Sequence, residues 1–463
     1  MNGVQSSSCA ISLASTSVWT APEWDAAMLK HIEITGYKSL VDVQVDLQPL
    51  VVLFGPNGAG KSNFLDALQL LSRMAISPTL KAAFEPPHRG KPLESFSFDE
   101  EGIAGLRGRE SARFSIQADV ELSPAVVKAV ERQIREMKRP AEERPKADSA
   151  SNGSSLIRET FLRYRVEVEI LPGSGILRVT DEYAAALNAK GEPTAKRRPF
   201  LERVGKRIHL RMEGQAHLTY HERYLDHTLL SRPLYPPHHP HLVALRHELE
   251  SWHSFYFEPR ERMRAPNPVK EVHHIGLRGE ELAAFLNTLR ALDERQFRAV
   301  EQALHLVIPS ITGISLEVNS LGEVELGVRE GTTLIPARVV SEGTLRILGL
   351  LALAGTKEPP ALIGFEEPEN GVHPRRLQLI AELLQTRADL GDTQMIVTTH
   401  SPLLVDLIPD QFLYVCHKHD GGTRIEPFTS LKLWRNKEVS QALEDDEEAL
   451  SVSAQILRGD LDA

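Results

Sequence analysis

Alternation of apolar and polar residues begins abruptly at Met28. Leu29 to Thr35 reads as a strand, and Val41, Val43, Val45 and Leu47 alternate with polar neighbours as a second, half-buried one. An unbroken apolar run, Leu50 to Phe54, comes next, then a glycine-rich loop. Phe64, Leu65, Leu68 and Leu71 follow at helical spacing and predict a helix over 60–74. Strand patterns return over 113–120 and 164–170, with a charged helical stretch at 124–137 between them. A helix is expected near 279–292 and strands near 314–318 and 323–329. After that the pattern is regular: helix 344–355, strand 361–365, helix 374–387, strand 394–398, helix 402–407, strand 412–416. Strands alternating with helices around a glycine loop predict an α/β fold, its sheet mixed but largely parallel with helices on its faces.

Length and composition refine this picture. A chain of 463 residues exceeds what one core usually organises, so more than one lobe is expected. Residues 1–27, rich in Ser, Ala and Thr, read as a disordered extension or a mis-assigned start before Met28. Residues 28–120 form an N-terminal lobe with the glycine loop, 121–312 an insertion, 313–420 a C-terminal lobe and 421–463 a tail. No repeat and no heptad run is evident, so the insertion reads as a compact α+β body rather than a coiled-coil arm; within it, 139–155 is low-complexity loop. The net charge of −10 argues against coating nucleic acid or anionic lipid through bulk charge. The basic stretch 190–211 (Lys190, Lys196, Arg197, Arg198, Arg203, Lys206, Arg207, Arg211) leaves DNA contact open beside the plainer reading of a solvated face. Cys9 and Cys416 alone give no disulfide framework. The histidines between 217 and 253 are irregularly spaced and interrupted by proline, which favours a polar loop over a metal site. Without an apolar run of membrane length or a secretory leader, the expectation is a cytoplasmic protein with no membrane partner.

Four segments carry candidate chemistry. Gly55-Pro-Asn57-Gly58-Ala-Gly60-Lys61-Ser62 matches G-x-x-x-x-G-K-[ST] and sits between an apolar strand and an amphipathic helix. Its glycines let backbone N–H groups and the helix start face phosphate; Lys61 would reach the β- and γ-phosphates and Ser62 would ligate Mg²⁺. Leu362 to Phe365 is a buried-strand pattern delivering Glu366-Glu367 at its end, where one carboxylate suits Mg²⁺ and the other an attacking water. Gln394 to Thr399 likewise delivers His400, able to donate to a γ-phosphate or to that water. Ser341-Glu-Gly343-Thr344 opens a helix and is an anion-seeking start. No Asn-Lys-x-Asp guanine-reading motif is present, since Asn436-Lys437-Glu438 does not fit, which disfavours a GTPase.

Taken together the segments resemble the ATPase heads of the SMC/RecF/OLD branch of the ABC superfamily. The carriers are Gly60-Lys-Ser-Asn63, Glu366-Glu-Pro-Glu-Asn-Gly-Val-His-Pro374, Ser341-Glu-Gly343-Thr344 and Thr398-Thr-His-Ser401, which cover roughly 28–75 and 335–417. The resemblance implies ATP and Mg²⁺ held by Asn57, Gly58, Gly60, Lys61, Ser62 and Asn63, the metal on Ser62 and Glu366, Glu367 as base and His400 as γ-phosphate sensor. It also implies a head-to-tail pair in which Ser341 and Gly343 close over the partner's ATP. Two departures stand out: the metal acid of many such heads is Asp, and the Q-loop glutamine has only Gln117 as a candidate. Only 63 residues follow His400, with no D-x-D after a strand, and Glu444 to Glu448 reads as a solvated acidic run. A nuclease or toxin effector is therefore expected on a separate chain. The functions implied are an ATPase sensor or motor in anti-phage defence or DNA maintenance, a RecF-like ATPase acting directly on DNA, or a nucleotide-gated scaffold. A transporter subunit fits least.

Overall fold

The computed structural model of the protein describes residues 28–138, 155–213, 218–222, 224–354 and 359–430. The expected N-terminal extension, the low-complexity stretch and the acidic run lie wholly or almost wholly outside them. The chain opens with the hairpin β1 (Met28–Tyr37) and β2 (Leu40–Asp46), then β3 (Leu50–Phe54) and α1 (Lys61–Ile76). Short helices α2 (Leu80–Ala83) and α3 (Gly102–Gly108) lead to β4 (Ala112–Glu121) and α4 (Pro124–Lys138). Next come β5 (Phe161–Leu171), β6 (Ile176–Ala186), β7 (Leu201–Val204), β8 (Arg207–Arg211) and β9 (Leu218–Glu222). After them run α5 (Pro240–Glu250), β10 (Trp252–Phe255), β11 (Asn267–Pro268), α6 (Leu282–Leu292) and α7 (Glu294–Val307). The strands β12 (Ile311–Val318), β13 (Glu323–Glu330) and β14 (Thr333–Pro336) precede α8 (Glu342–Ala354). The chain continues through β15 (Leu362–Glu366), α9 (Leu377–Asp389), β16 (Gln394–Thr399), α10 (Pro402–Val405), β17 (Leu413–His419) and β18 (Gly422–Pro427).

The central sheet has the order β10-β15-β16-β3-β17-β18, parallel except at its last pair. β3, β15 and β16 are buried along their whole length, as both-face burial of a parallel sheet requires. Alternation divides their side chains between two cores. Val51, Leu53, Leu362 and Ile396 face one, while Val52, Phe54, Ile363 and Val397 face the other. The first core is closed by an eight-stranded antiparallel sheet, β2-β1-β4-β5-β6-β7-β8-β9, together with α1, α4 and α5. The second is closed by α6 to α9 and the small β11–β14 sheet. One buried side chain makes several bonds at the junction of the two large sheets. Gln394 accepts from the Leu29 N–H at 2.9 Å and donates to the Leu29 and Gln48 carbonyls at 3.0 and 2.8 Å.

Three expectations need correction. Residues 121–312 are not a separate insertion: β5 to β9 extend the sheet begun by β1, β2 and β4, and β10 pairs with β15 in the central sheet. The physical reason is that β4, paired with β1 on one side, leaves its other edge open, and β5 and then β6 cover it by antiparallel pairing. The His-rich segment is also not all loop. Pro240 starts α5, and His241 is buried with Nδ1 2.6 Å from Glu213 and Nε2 3.0 Å from Glu159. The segment read as a tail from 421 likewise opens with an ordered strand, β18, which belongs to the central sheet. Of the basic stretch, Arg197 is held by Glu159 and Glu213, each at 2.7 Å, Arg211 by Glu202, and Arg203 lies 3.9 Å from Asp181.

Glu248 of α5 accepts from the Ser123 N–H at 2.9 Å and the Ser123 hydroxyl at 2.8 Å, holding the residue that caps α4. Burial pushes its carboxyl up to about 7, against the pull of those hydrogen bonds. A carboxyl raised in the folded state binds its proton more tightly there than in the unfolded chain. It therefore destabilises the fold progressively as pH rises from about 4.5 to 7, and fully above that. Glu248→Gln keeps an oxygen for both Ser123 donors and removes the charge. At pH 8 it should stabilise the protein by on the order of 1–3 kcal/mol, with the gain vanishing near pH 4.5. Thermal melts of both proteins across that range check this; a gain independent of pH would contradict it.

Candidate nucleotide site

Three strands distant in the chain end side by side. In the parallel register Glu366 lies opposite Thr398, and Thr398 and Thr399 lie opposite Leu53 and Phe54. Adjacent strands are spaced about 4.8 Å apart, so the residues leaving β15, β16 and β3 share one crevice at the sheet's carboxyl edge. Those residues are Glu366-Glu367, His400 and the phosphate loop.

The loop's shape depends on glycine. A Cβ at Gly55 would lie 2.0 Å from the Cys416 carbonyl oxygen. Gly60, at φ 109°, would drive one to 2.1 Å from the Thr423 hydroxyl. Thr423 in turn donates to the Ala59 carbonyl at 2.7 Å, so β18 braces the loop from behind. Gly60 caps α1 without a side chain, leaving the first N–H groups of a sixteen-residue helix for an anion. Asn57 and Gly58 form the exposed tip of the loop. Asn63 is engaged elsewhere: it donates to the Ser39 hydroxyl at 2.8 Å and ties the loop to the β1–β2 turn, away from the expected nucleotide contact.

Lys61 is buried and curls over the loop, donating to the Gly55 and Pro56 carbonyls at 2.7 and 2.9 Å. Its ammonium also lies 3.3 Å from Nδ1 of His400. An ammonium can only donate, so that ring nitrogen accepts, and the neutral ring's proton is on Nε2. Nε2 lies 3.6 Å from Oε1 of Glu367. Burial, then the charge of Lys61, lowers the His400 pKa, which keeps the ring neutral at pH 7. Burial lowers the Lys61 pKa to about 8. The Ser62 hydroxyl donates to Oε2 of Glu366 at 3.5 Å. A hydroxyl and a carboxylate this close, beside a lysine and a helix start, form a donor set suited to a magnesium–triphosphate.

Three partners of these groups escaped the sequence reading. Arg89 donates to Oε1 of Glu366 at 2.5 Å and lies 3.6 Å from Asp66, which Lys38 also holds at 2.7 Å. Burial raises the pKa of Glu366 and Arg89 pulls it back down. Glu369 accepts from the Thr399 hydroxyl at 2.5 Å and the His400 N–H at 3.4 Å, fixing the turn that carries the histidine. Arg346 of α8 donates to the Glu367 carbonyl at 3.4 Å. Arg89 and Arg346 stand in no motif. Glu369 lies in the Glu366–Pro374 segment, three residues past Glu366, but spacing alone gives it no role.

Ser341 and Gly343 do not join this cluster within one subunit. Ser341 is exposed and caps α8, accepting from the Thr344 N–H at 3.2 Å. Gly343 abuts the loop after Glu367, where a Cβ would lie 2.3 Å from the Gly371 carbonyl oxygen. Gln117 is not in the crevice either: it lies mid-strand in β4, opposite Glu33 and Arg165 in the antiparallel sheet. No hydrogen bond among the described residues connects Gln117 to the loop, which corrects its assignment as the Q-loop glutamine.

A glycine loop between a buried parallel strand and a helix, with an acid pair and a histidine at the neighbouring strand ends, defines a P-loop nucleotide-binding head of the ABC type. A family model described as "AAA domain, putative AbiEii toxin, Type IV TA system" matches residues 50–126 and 211–406, more than half of the chain, and the protein belongs to that family. No curated protein matches the sequence. Similar solved structures include an SMC head bound to the C-terminal winged-helix domain of ScpA, at 12% identity and TM-score 0.47, over 86% of this chain and 97% of that one. The Pyrococcus furiosus SMC head, with an extended coiled coil and bound to the C-terminal domain of ScpA, is similar at 12% identity and TM-score 0.45, over 89% and 100%. The SMC head domain of Thermotoga maritima is similar at 14% and 0.37, over 86% and 98%. Among the described residues no helix is long and apolar enough to cross a membrane.

Proposed function

We propose that the protein hydrolyses ATP, that two copies close head-to-tail on it, and that this closure is the sensor or motor step of an anti-phage defence or DNA-maintenance system whose effector is a separate chain. The observation that carries the reading is the gathering of Lys61, Ser62, Glu366, Glu367 and His400 at one crevice, while Ser341 faces outward from the start of α8. Lys61 and the α1 N-terminus hold the triphosphate, and Asn57 and Gly58 cover it. Ser62 and Glu366 would hold Mg²⁺, which would supply charge neutralisation of the phosphates. Glu367 takes the proton of the attacking water, with His400 Nε2–H close by to orient it and sense the γ-phosphate. The exposed Ser341 and the N–H groups around Gly343 meet the partner's γ-phosphate. The family's description as a type IV toxin–antitoxin component supports a two-chain system.

A second reading, a nucleotide-gated scaffold with little turnover, is favoured by one contact: Arg89 holds Glu366 where a metal would need it. A RecF-like role on DNA is favoured less, because Arg197 and Arg211 are already paired with carboxylates. Steady-state ATP turnover of the purified full chain, with and without duplex DNA, separates the three. The primary reading expects turnover without DNA at about 1 s⁻¹, the low end of the usual enzymatic range. Binding without turnover selects the scaffold, and strict dependence on DNA selects the direct DNA role.

A further inference from the structure

Resting on the head-to-tail reading above, we propose that Arg346 is a positioning residue for Glu367, linking the base of one ATP site to the α8 start that serves the other site. Arg346 lies five residues past Ser341, only 6% exposed, between Leu345 and Ile347. A guanidinium brings five donors and a fixed charge, and burying it is unfavourable unless it is well bonded. Here Nη1 reaches the Glu367 carbonyl at 3.4 Å, and the buried Nε has no hydrogen-bond partner. An apolar side chain would fill that place in α8 at lower cost, so the charge has to be explained by what it touches.

What it touches is the backbone of the proposed base. Glu367 has φ 46°, a left-handed conformation that an L-residue keeps only when its surroundings hold it. Three contacts do so: the Glu367 N–H donates to the Thr398 carbonyl at 2.9 Å, and its carbonyl accepts from the Asn370 N–H at 3.1 Å and, from outside the loop, from Arg346 at 3.4 Å. With both neighbouring peptide groups fixed, the carboxylate is aimed at His400. The same loop is locked to the helix start, because the Gly371 carbonyl fills the space beside Gly343. Oε2 of Glu369, in the same loop, is also buried without a partner, and its charge together with those of Glu342 and Glu367 acts on Arg346. Two under-bonded groups of opposite sign between α8 and this loop describe a contact able to tighten. When the α8 start engages a phosphate of the partner's site, the shift reaches Glu367 through Arg346 and Gly343. Water activation at one site then depends on occupancy of the other.

The test uses the full chain carrying Arg346→Met or Arg346→Lys. Affinity for a fluorescent ATP analogue and the melting temperature should stay near wild type, with kcat in the Met variant lower by on the order of 10²-fold. Lysine, still able to donate to the Glu367 carbonyl, should restore roughly tenfold, and the cooperativity of turnover in ATP should fall in both variants. Wild-type kcat and cooperativity in Arg346→Met would overturn the inference. So would a parallel loss of affinity, stability and turnover in both variants, which would make Arg346 a prop of the fold. Absence of ATP turnover in the wild-type chain is a different failure: it removes the function proposed above, and this inference with it.

Discussion

Glu367→Gln is expected to leave ATP bound and to lower its hydrolysis by roughly 10²- to 10⁴-fold, the range over which a positioned general base acts. Glutamine preserves the shape of the side chain and its contact with Asn370, now at 3.2 Å, but has no basic oxygen for the proton of water. Nothing else in the crevice substitutes for it. Glu366 is engaged by Arg89 and Ser62, Glu369 faces the His400 turn, and His400 has its acceptor nitrogen on Lys61. ATP that cannot be hydrolysed should hold two heads together, so the variant should run as a dimer in size-exclusion chromatography when ATP and Mg²⁺ are present. Normal turnover in Glu367→Gln removes the assignment of the base. A monomer with ATP bound removes the head-to-tail pairing while leaving the base intact.

Lys61→Ala is expected to lose nucleotide binding. The ammonium supplies charge-assisted hydrogen bonds each worth about 1.5–3 kcal/mol, so removing it should weaken ATP affinity by at least on the order of 10²-fold. The wild type adds a pH signature. Without nucleotide, burial holds the Lys61 pKa at about 8. Phosphate oxygens favour the charged form and raise that pKa, so binding takes up a proton and affinity declines as pH climbs above about 8. Titration calorimetry from pH 7 to 9 in two buffers of different ionisation enthalpy reads this uptake. A pH-independent affinity in the wild type, or full affinity in Lys61→Ala, contradicts the phosphate-loop account.

The parts of this molecule that were legible in its sequence are those where both faces of an element are buried. Leu50–Phe54, Leu362–Glu366 and Gln394–Thr399 read as strands because apolar residues fill their middles, and the segments leaving them fall where a parallel sheet delivers its chemistry. The eight-stranded sheet was harder to see. β6 carries Asp181 and Glu182 mid-strand, and Glu182 is wholly buried, accepting from the Leu229 and Leu230 N–H groups and the Tyr164 hydroxyl. A charged residue satisfied by distant backbone resembles a surface residue when only its neighbours in sequence are known. α5 was hidden for a related reason, since its histidines suggest a polar loop while His241 packs against Phe200 in the core. In the crevice, motifs gave Lys61, Ser62, Glu366, Glu367 and His400. They could not give Arg89, whose pairing with Glu366 spans 277 residues, nor Arg346, masked by the apolar helix around it.

A structure of the Glu367→Gln chain with ATP and Mg²⁺ tests the central claim most directly. The account predicts Lys61 turned from the Gly55 carbonyl onto the phosphates, Ser62 and Glu366 facing the metal, and Ser341 of a second copy against the γ-phosphate. A triphosphate bound outside the crevice shared by β3, β15 and β16, or Lys61 still on the loop carbonyls with ATP present, would contradict it.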